Sequence, residues 1–222
     1  MPKWPQAWEL PATAILLVSW AVAAHVGSSG AGSADVNVIV ALLPLLAAWT
    51  VVSWQARNRW LFVLAMAGAA LLLMVFWPNL RQNVPFLYYL QHMGSHMALA
   101  TLFGRTLWRP GDALITSMAR FLDGGTMSAR KQRYTRQVTM AWTTFFIVNA
   151  LVSTLLFLFA PVAVWSVHAN LLTGPLVALM FLGESLVRMR LLPAHERPRL
   201  ADVVRAYRQR SAARRNAAPG DP

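Results

Sequence analysis

The side chains best suited to chemistry in this sequence lie in one short run. Tyr88, His92 and His96 recur every four residues, a spacing that places them on one face of a helix. Asn149 and Glu184 extend the set on two later apolar segments. Counted from the cytoplasmic ends of the spans described below, His92 and Asn149 stand at one depth. His96 stands near Thr143 and Thr144, and Glu184 near Arg105 at the inner boundary. Such a polar track could relay protons or line a transport path, because titratable groups inside a bilayer are costly and tend to be functional. The alternative is structural: histidine and asparagine bridging neighbouring helices by hydrogen bonds. Glu184 has a similar structural option, since Arg188 follows it at i+4, the favourable order for an intrahelical pair.

Metal and haem chemistry fit these residues poorly. Two histidines at i, i+4 can share one metal ion, but no third ligand is evident beside them. Two histidines on one helix cannot take opposite axial positions of a haem. The sequence predicts no metal site and no cofactor. His25 and His168 fall at outer span ends and His195 in the C-terminal tail, where no role is assigned to them. Catalytic signatures are also missing: there is no G-x-S-x-G elbow, no P-loop, no H-E-x-x-H and no H-x-x-x-x-D pattern. The paired acids of CDP-alcohol phosphotransferases do not occur, Asp112 and Asp123 being isolated. The absence of cysteine removes disulfides, thiolate metal sites and cysteine nucleophiles.

The segments that must position these residues are apolar. Of 222 residues, 57% are hydrophobic and 13% charged, about half the charged share of an ordinary soluble domain. That composition excludes a disordered chain and predicts an all-α, polytopic bundle of transmembrane helices. A helix crossing the hydrocarbon core needs about 17 to 25 mostly apolar residues. Six stretches meet this: Leu10–Val26, Val36–Trp54, Trp60–Trp77, Val84–Phe103, Val138–Phe159 and Ala169–Val187. The fourth is the least apolar, because the Tyr88/His92/His96 run lies in it. Residues 1–192 form the six-span domain and 193–222 a basic cytoplasmic tail.

Charge sets the orientation. Nineteen of the twenty Lys and Arg residues fall before span one, in the even-numbered loops or after span six, and only Arg81 falls in an odd-numbered loop. Short basic loops stay in the cytoplasm, which predicts both termini inside a bacterial inner membrane. The start, Lys3 and an apolar run to Ala23, also permits a cleaved signal peptide. Trp4, Trp8 and Trp20 look more like interfacial anchors of a retained helix. Trp54, Trp60 and Trp142 are expected in the inner aromatic belt, Trp77 and Trp165 in the outer one. Small-residue pairs at Ala65/Ala69, Gly94/Ala98, Ala100/Gly104 and Gly174/Ala178 permit close helix approach.

The net charge of +12 gathers at one surface. In the loop after span four, Leu114, Ile115, Met118, Phe121 and Leu122 form an apolar helical face opposite Thr116, Ser117 and Arg120. Pro110 and Asp112 suit its start and Gly124-Gly125 its stop, which predicts an amphipathic helix in the membrane interface. A second helix from Ser128 should run straight into span five. Leu200, Val203, Val204 and Tyr207 make a narrow stripe in the tail. Arg105, Arg109, Arg120, Arg130, Lys131, Arg133 and Arg136 are the candidates for holding anionic lipid or a partner at this face. Few aromatic or base-reading residues accompany them, so nucleic acid is not an expected partner.

Several blocks together carry a family resemblance: FLYYLQHM at Phe86–Met93, LFGRTL at Leu102–Leu107, YTRQVTMAW at Tyr134–Trp142, ANLLTGPL at Ala169–Leu176 and GESLVR at Gly183–Arg188. They resemble an uncharacterised family of proteobacterial inner-membrane proteins that accompany aryl-polyene and acyl-lipid synthesis genes. The resemblance covers roughly spans four to six and implies a place in making or moving a membrane-embedded acyl or polyene product, with that pathway's enzymes as partners. The resulting expectation is a non-catalytic accessory or scaffold component of an envelope lipid or polyene pathway. Its rival is a transporter or membrane-embedded enzyme working through His92, His96 and Glu184.

Overall fold

Long apolar runs leave the backbone no water to bond with, so they satisfy their own N–H and C=O groups as helices. The computed structural model describes residues 9–54, 59–108 and 111–196 and is helical almost throughout. The helices are α1 (Glu9–Ser28), α2 (Ala34–Trp54), α3 (Arg59–Gln82), α4 (Val84–Trp108), α5 (Leu114–Leu122), α6 (Ala129–Phe159), α7 (Val162–Ser166) and α8 (Thr173–Leu191). A π-helical segment, Val167–Leu172, joins α7 to α8 without a break. No strand occurs among the described residues. Arg57, Arg109, Pro110, the N-terminal Lys3, Trp4 and Trp8, and the tail stripe Leu200–Tyr207 lie outside them.

Three helical stretches are long and apolar enough to cross a membrane: Trp60–Gln82, Ala129–Phe159 and Val162–Leu191. Thr13–Ser28 and Ala34–Ala47 are shorter apolar stretches, and α4, with its tyrosines and histidines, is the more polar helix expected from the sequence. Large apolar side chains crowd the surface, and several small polar ones are fully buried. Leu64, Leu71, Leu72, Met74, Leu179 and Leu182 are largely exposed, while Ser28, Thr139, Ser153 and Ser166 have no exposed surface at all. Apolar exposure on this scale marks a surface meant for something other than water.

The chain divides into two compact units, one from Met1–Ser95 with Ala150–Pro175, the other from His96–Asn149 with Leu176–Pro222. In the first, α1 packs on α2 and on the α7/π segment, and α2 packs on α3. Its core is Ala24, Val38, Ala41, Val84, Tyr88, Trp165 and Ala169. The π segment has a local cause in Pro175, which lacks an N–H and whose ring would collide with the carbonyl of Leu171 in an α-helix. One turn of wider i→i+5 bonding relieves that conflict. At its end both the backbone N–H and the hydroxyl of Thr173 donate to the carbonyl of His168, the hydroxyl at 3.0 Å.

The second unit is built on α6. Its core is Ala100, Tyr134, Val138, Trp142, Phe146 and Leu192. Ser128 starts α6 as expected, its Oγ accepting the N–H of Lys131 at 3.1 Å, an N-cap bond. At 31 residues, α6 is about 46 Å long, more than a ~30 Å hydrocarbon core requires. The surplus carries Arg130 to Arg136.

Helix α5 has the predicted apolar face. Thr116 is buried against α6, where Thr135 Oγ1 donates to it at 2.9 Å, and Thr139 Oγ1 accepts the N–H of Ile115 at 3.2 Å. Met118 and Phe121 are exposed. Thr116 thus meets α6 and Ile115 packs against the core of the unit, while Ser117 is exposed. Its start departs from expectation too: Ala113 is the N-cap, and Asp112 instead pairs with Arg120. The stop is as expected, with Gly124 and Gly125 at φ 73° and 102°, a region that glycine enters freely.

Candidate functional site

Tyr88, His92 and His96 fall on one face of α4, and each has its own surroundings. Tyr88 is buried, its hydroxyl 3.4 Å from the carbonyl of Asn37. His92 reaches Thr173 Oγ1 through Nε2 at 3.0 Å, and its ring lies edge-on to that of His168, 5.9 Å between centres. These contacts belong to the first unit. His96, in the second unit, is buried with its ring edge-on to Phe146 at 6.0 Å. Asn149 donates to its own helix, at the carbonyl of Phe145. Glu184 accepts the Tyr134 hydroxyl at 2.7 Å and pairs with Arg188 at 3.5 Å. The i,i+4 pairing read from the sequence is therefore present, with Tyr134 as an additional partner.

The densest polar cluster of the first unit was not evident from the sequence. Ser166 Oγ lies 2.7 Å from His25 Nδ1, 2.6 Å from Ser28 Oγ and 3.1 Å from the His25 carbonyl. Asn170 Nδ2 donates to Ser28 Oγ at 2.9 Å and to Ser166 Oγ at 3.2 Å. A serine hydroxyl beside an imidazole is the nucleophile–base arrangement of covalent catalysis. Here, however, Ser166 and Ser28 are both 0% exposed, and a hydroxyl closed off in this way cannot meet a substrate. The cluster joins α1 to α7 and the π segment, and its chemistry is that of an interhelical clamp. Of the two histidines placed at outer span ends, His25 is half-buried and His168 is buried. The only advance signal was the spacing Ser166, Asn170, Thr173, the i, i+4, i+7 positions of one helical face, with His168 off it.

Two tryptophans expected in the aromatic belts are core residues instead. Trp165 has no exposed surface and donates its indole N–H to Ser153 Oγ at 2.9 Å. Trp142 is buried among Phe103, Phe145, Phe146 and Phe181. Trp77 donates to Asp35, while Trp54 and Trp60 are largely exposed. Of the small-residue pairs, Ala100/Gly104 sits at a close approach, a Cβ on Gly104 meeting Thr143 Cγ2 at 3.1 Å. The positions beside Gly94 and Gly174 are open.

The basic residues singled out from the sequence separate into two groups. Arg120 forms a two-point pair with Asp112. Lys131 is buried and holds Asp123 at 2.7 Å. Arg136 donates to the carbonyl of Leu107 at 3.0 Å. These three serve the fold. Arg105, Arg130 and Arg133 are exposed with no carboxylate partner among the described residues, and Arg190 joins them. Arg130, Arg133 and Arg190 line one depression with Tyr134, Gln137 and Leu191. No group of three or more His, Asp or Glu able to hold a metal ion occurs among the described residues. No family profile, curated protein or solved structure matches this chain.

Proposed function

We propose that this is a six-span protein of the bacterial inner membrane with both termini in the cytoplasm. In this reading it is a non-catalytic accessory or scaffold component of an envelope lipid or polyene pathway, and its basic face holds anionic lipid or acyl-chain enzymes at the membrane. The observation carrying the proposal is where the unpaired positive charge lies. Arg81, the one basic residue of the outer loops, is paired with Asp35 at 3.0 Å. Arg105, Arg130, Arg133 and Arg190, exposed and without a carboxylate among the described residues, all belong to the loops and helix ends assigned to the cytoplasm. Each such residue gains about 1 kcal/mol beside an anionic leaflet. The satisfied, closed Ser28/Ser166 cluster supports a structural use of the polar interior.

The test neutralises Arg105, Arg130 and Arg133 together, leaving Lys131 intact because it is an internal clamp, and removes residues 201–222. The expected result is normal protein abundance with reduced lipid or polyene output. Unchanged output rejects the docking role.

One observation favours a second reading, a transporter or membrane-embedded enzyme using His92, His96 and Glu184. The π segment sets the His168 ring beside His92, and π-helical turns occur frequently at functional sites. Alanine at His92, His96 or Glu184 separates the readings. Normal abundance with lost output favours chemistry, and lowered abundance favours a structural role.

A further inference from the structure

Between α6 and α8 in the second unit lies an apolar groove of about 290 Å³. Val138, Ala141, Met180, Gly183, Val187 and Leu191 contribute to its walls. Tyr134, Gln137 and Leu191 also line the depression of about 450 Å³ that contains Arg130, Arg133 and Arg190. Apolar groove and basic depression are thus continuous. The sequence order agrees on both walls: on α6 the arginines precede Val138 and Ala141, and on α8 Arg190 follows Gly183 and Val187. From Arg130 to Ala141 the helix rises about 16 Å.

We infer that this groove is a binding site for one anionic phospholipid, with an acyl chain along the α6/α8 groove and the phosphate against Arg130, Arg133 and Arg190. Three features identify that occupant. Guanidinium groups match phosphate oxygens with paired N–H donors, and no carboxylate of the described residues occupies these three. The groove volume is at the small end for ligand clefts, which suits a single chain and leaves a second chain to the bilayer. The acidic wall residue, Glu184, is already occupied by Tyr134 and Arg188 and does not face the phosphate as an open charge. The inference rests on α6 and α8 being membrane helices, as proposed above.

Gly183 provides a clean test. Gly183 lines the groove and a Cβ there meets nothing within 4 Å, so a side chain can start from this position without a clash at its base. The full chain is assembled in nanodiscs of phosphatidylglycerol and phosphatidylcholine, and lipid retained after release is counted by native mass spectrometry. One phosphatidylglycerol per chain is expected. Gly183→Phe should lower retention by about tenfold, as should glutamine at Arg130, Arg133 and Arg190 together. Ala141→Leu is the second filling variant, used if Gly183→Phe fails to give a monodisperse helical protein. Equal retention of the two lipids, or full retention in the filled groove, overturns the site. Displacement by inorganic phosphate alone also overturns it, because the headgroup would then bind without the chain. If the site fails while single-cysteine labelling still places the loops as proposed, the membrane reading stands and the lipid site alone is lost.

Discussion

At the scale of single residues, the polar groups of this chain hold the helices together where water is scarce. Ser166 is the hub, within hydrogen-bond distance of His25, Ser28 and Asn170. Removing its hydroxyl leaves buried groups short of a partner, at about 1–3 kcal/mol. Ser166→Ala should therefore lower the thermal unfolding temperature of the purified protein in micelles. An unchanged midpoint would show that the cluster bears no stability. Glycines give a paired expectation. A Cβ on Gly27 would meet Asn37 Oδ1 at 2.9 Å and Tyr88 OH at 3.0 Å, and Asn37 is tethered to the carbonyl of Ala31 at 2.8 Å. Gly94 has open space. Gly27→Ala should destabilise, whereas Gly94→Ala should be neutral or stabilising by up to about 1 kcal/mol, as the same melting measurement will tell. The i,i+4 runs on α4 and at Glu184/Arg188 were legible in the sequence. The pairing of His25 with Ser166 was not, because it joins residues 141 positions apart and helical spacing carries no information about distant partners.

At the scale of elements, the stop of α5 at Gly124-Gly125 and the continuity of α6 with its basic leader followed from periodicity and caps. The start of α5 at Ala113 did not. Nor did the pairing of Thr116 with Thr135 of α6, since hydropathy ranks the faces of a helix but does not name the neighbour opposite each. The π segment was hidden for a related reason, since a 3.6-residue count assumes the register that Pro175 disrupts. Two ion pairs of the α5 region differ in burial, and so in weight. Lys131 is 6% exposed beside Asp123, while Arg120 is 37% exposed beside Asp112. Asp123→Ala leaves a buried ammonium uncompensated and should cost about 3–5 kcal/mol. Asp112→Ala should cost under about 1 kcal/mol. Hydrogen exchange of the α5 amides checks both: fast exchange in the first variant, near wild-type exchange in the second. Similar exchange in the two would contradict the difference in burial.

At the scale of the whole molecule, composition indicated helices and their apolar surfaces, and the helical fold with three stretches fit to cross a membrane agrees. Hydropathy could not foresee the division into two compact units, because it scores each segment alone. The six-span topology, with its basic residues on the cytoplasmic side, is the claim on which the functional proposal depends. The chain contains no cysteine, so single cysteines report on position without background. Ser29→Cys, Gln82→Cys and Ala163→Cys lie at the proposed outer ends, Gln132→Cys and Ala218→Cys on the proposed cytoplasmic side. Labelling of intact cells with a membrane-impermeant maleimide should mark the first three, and mark the last two only after the membrane is opened. Labelling of Gln132→Cys in intact cells, or protection of Ser29→Cys, would contradict the account.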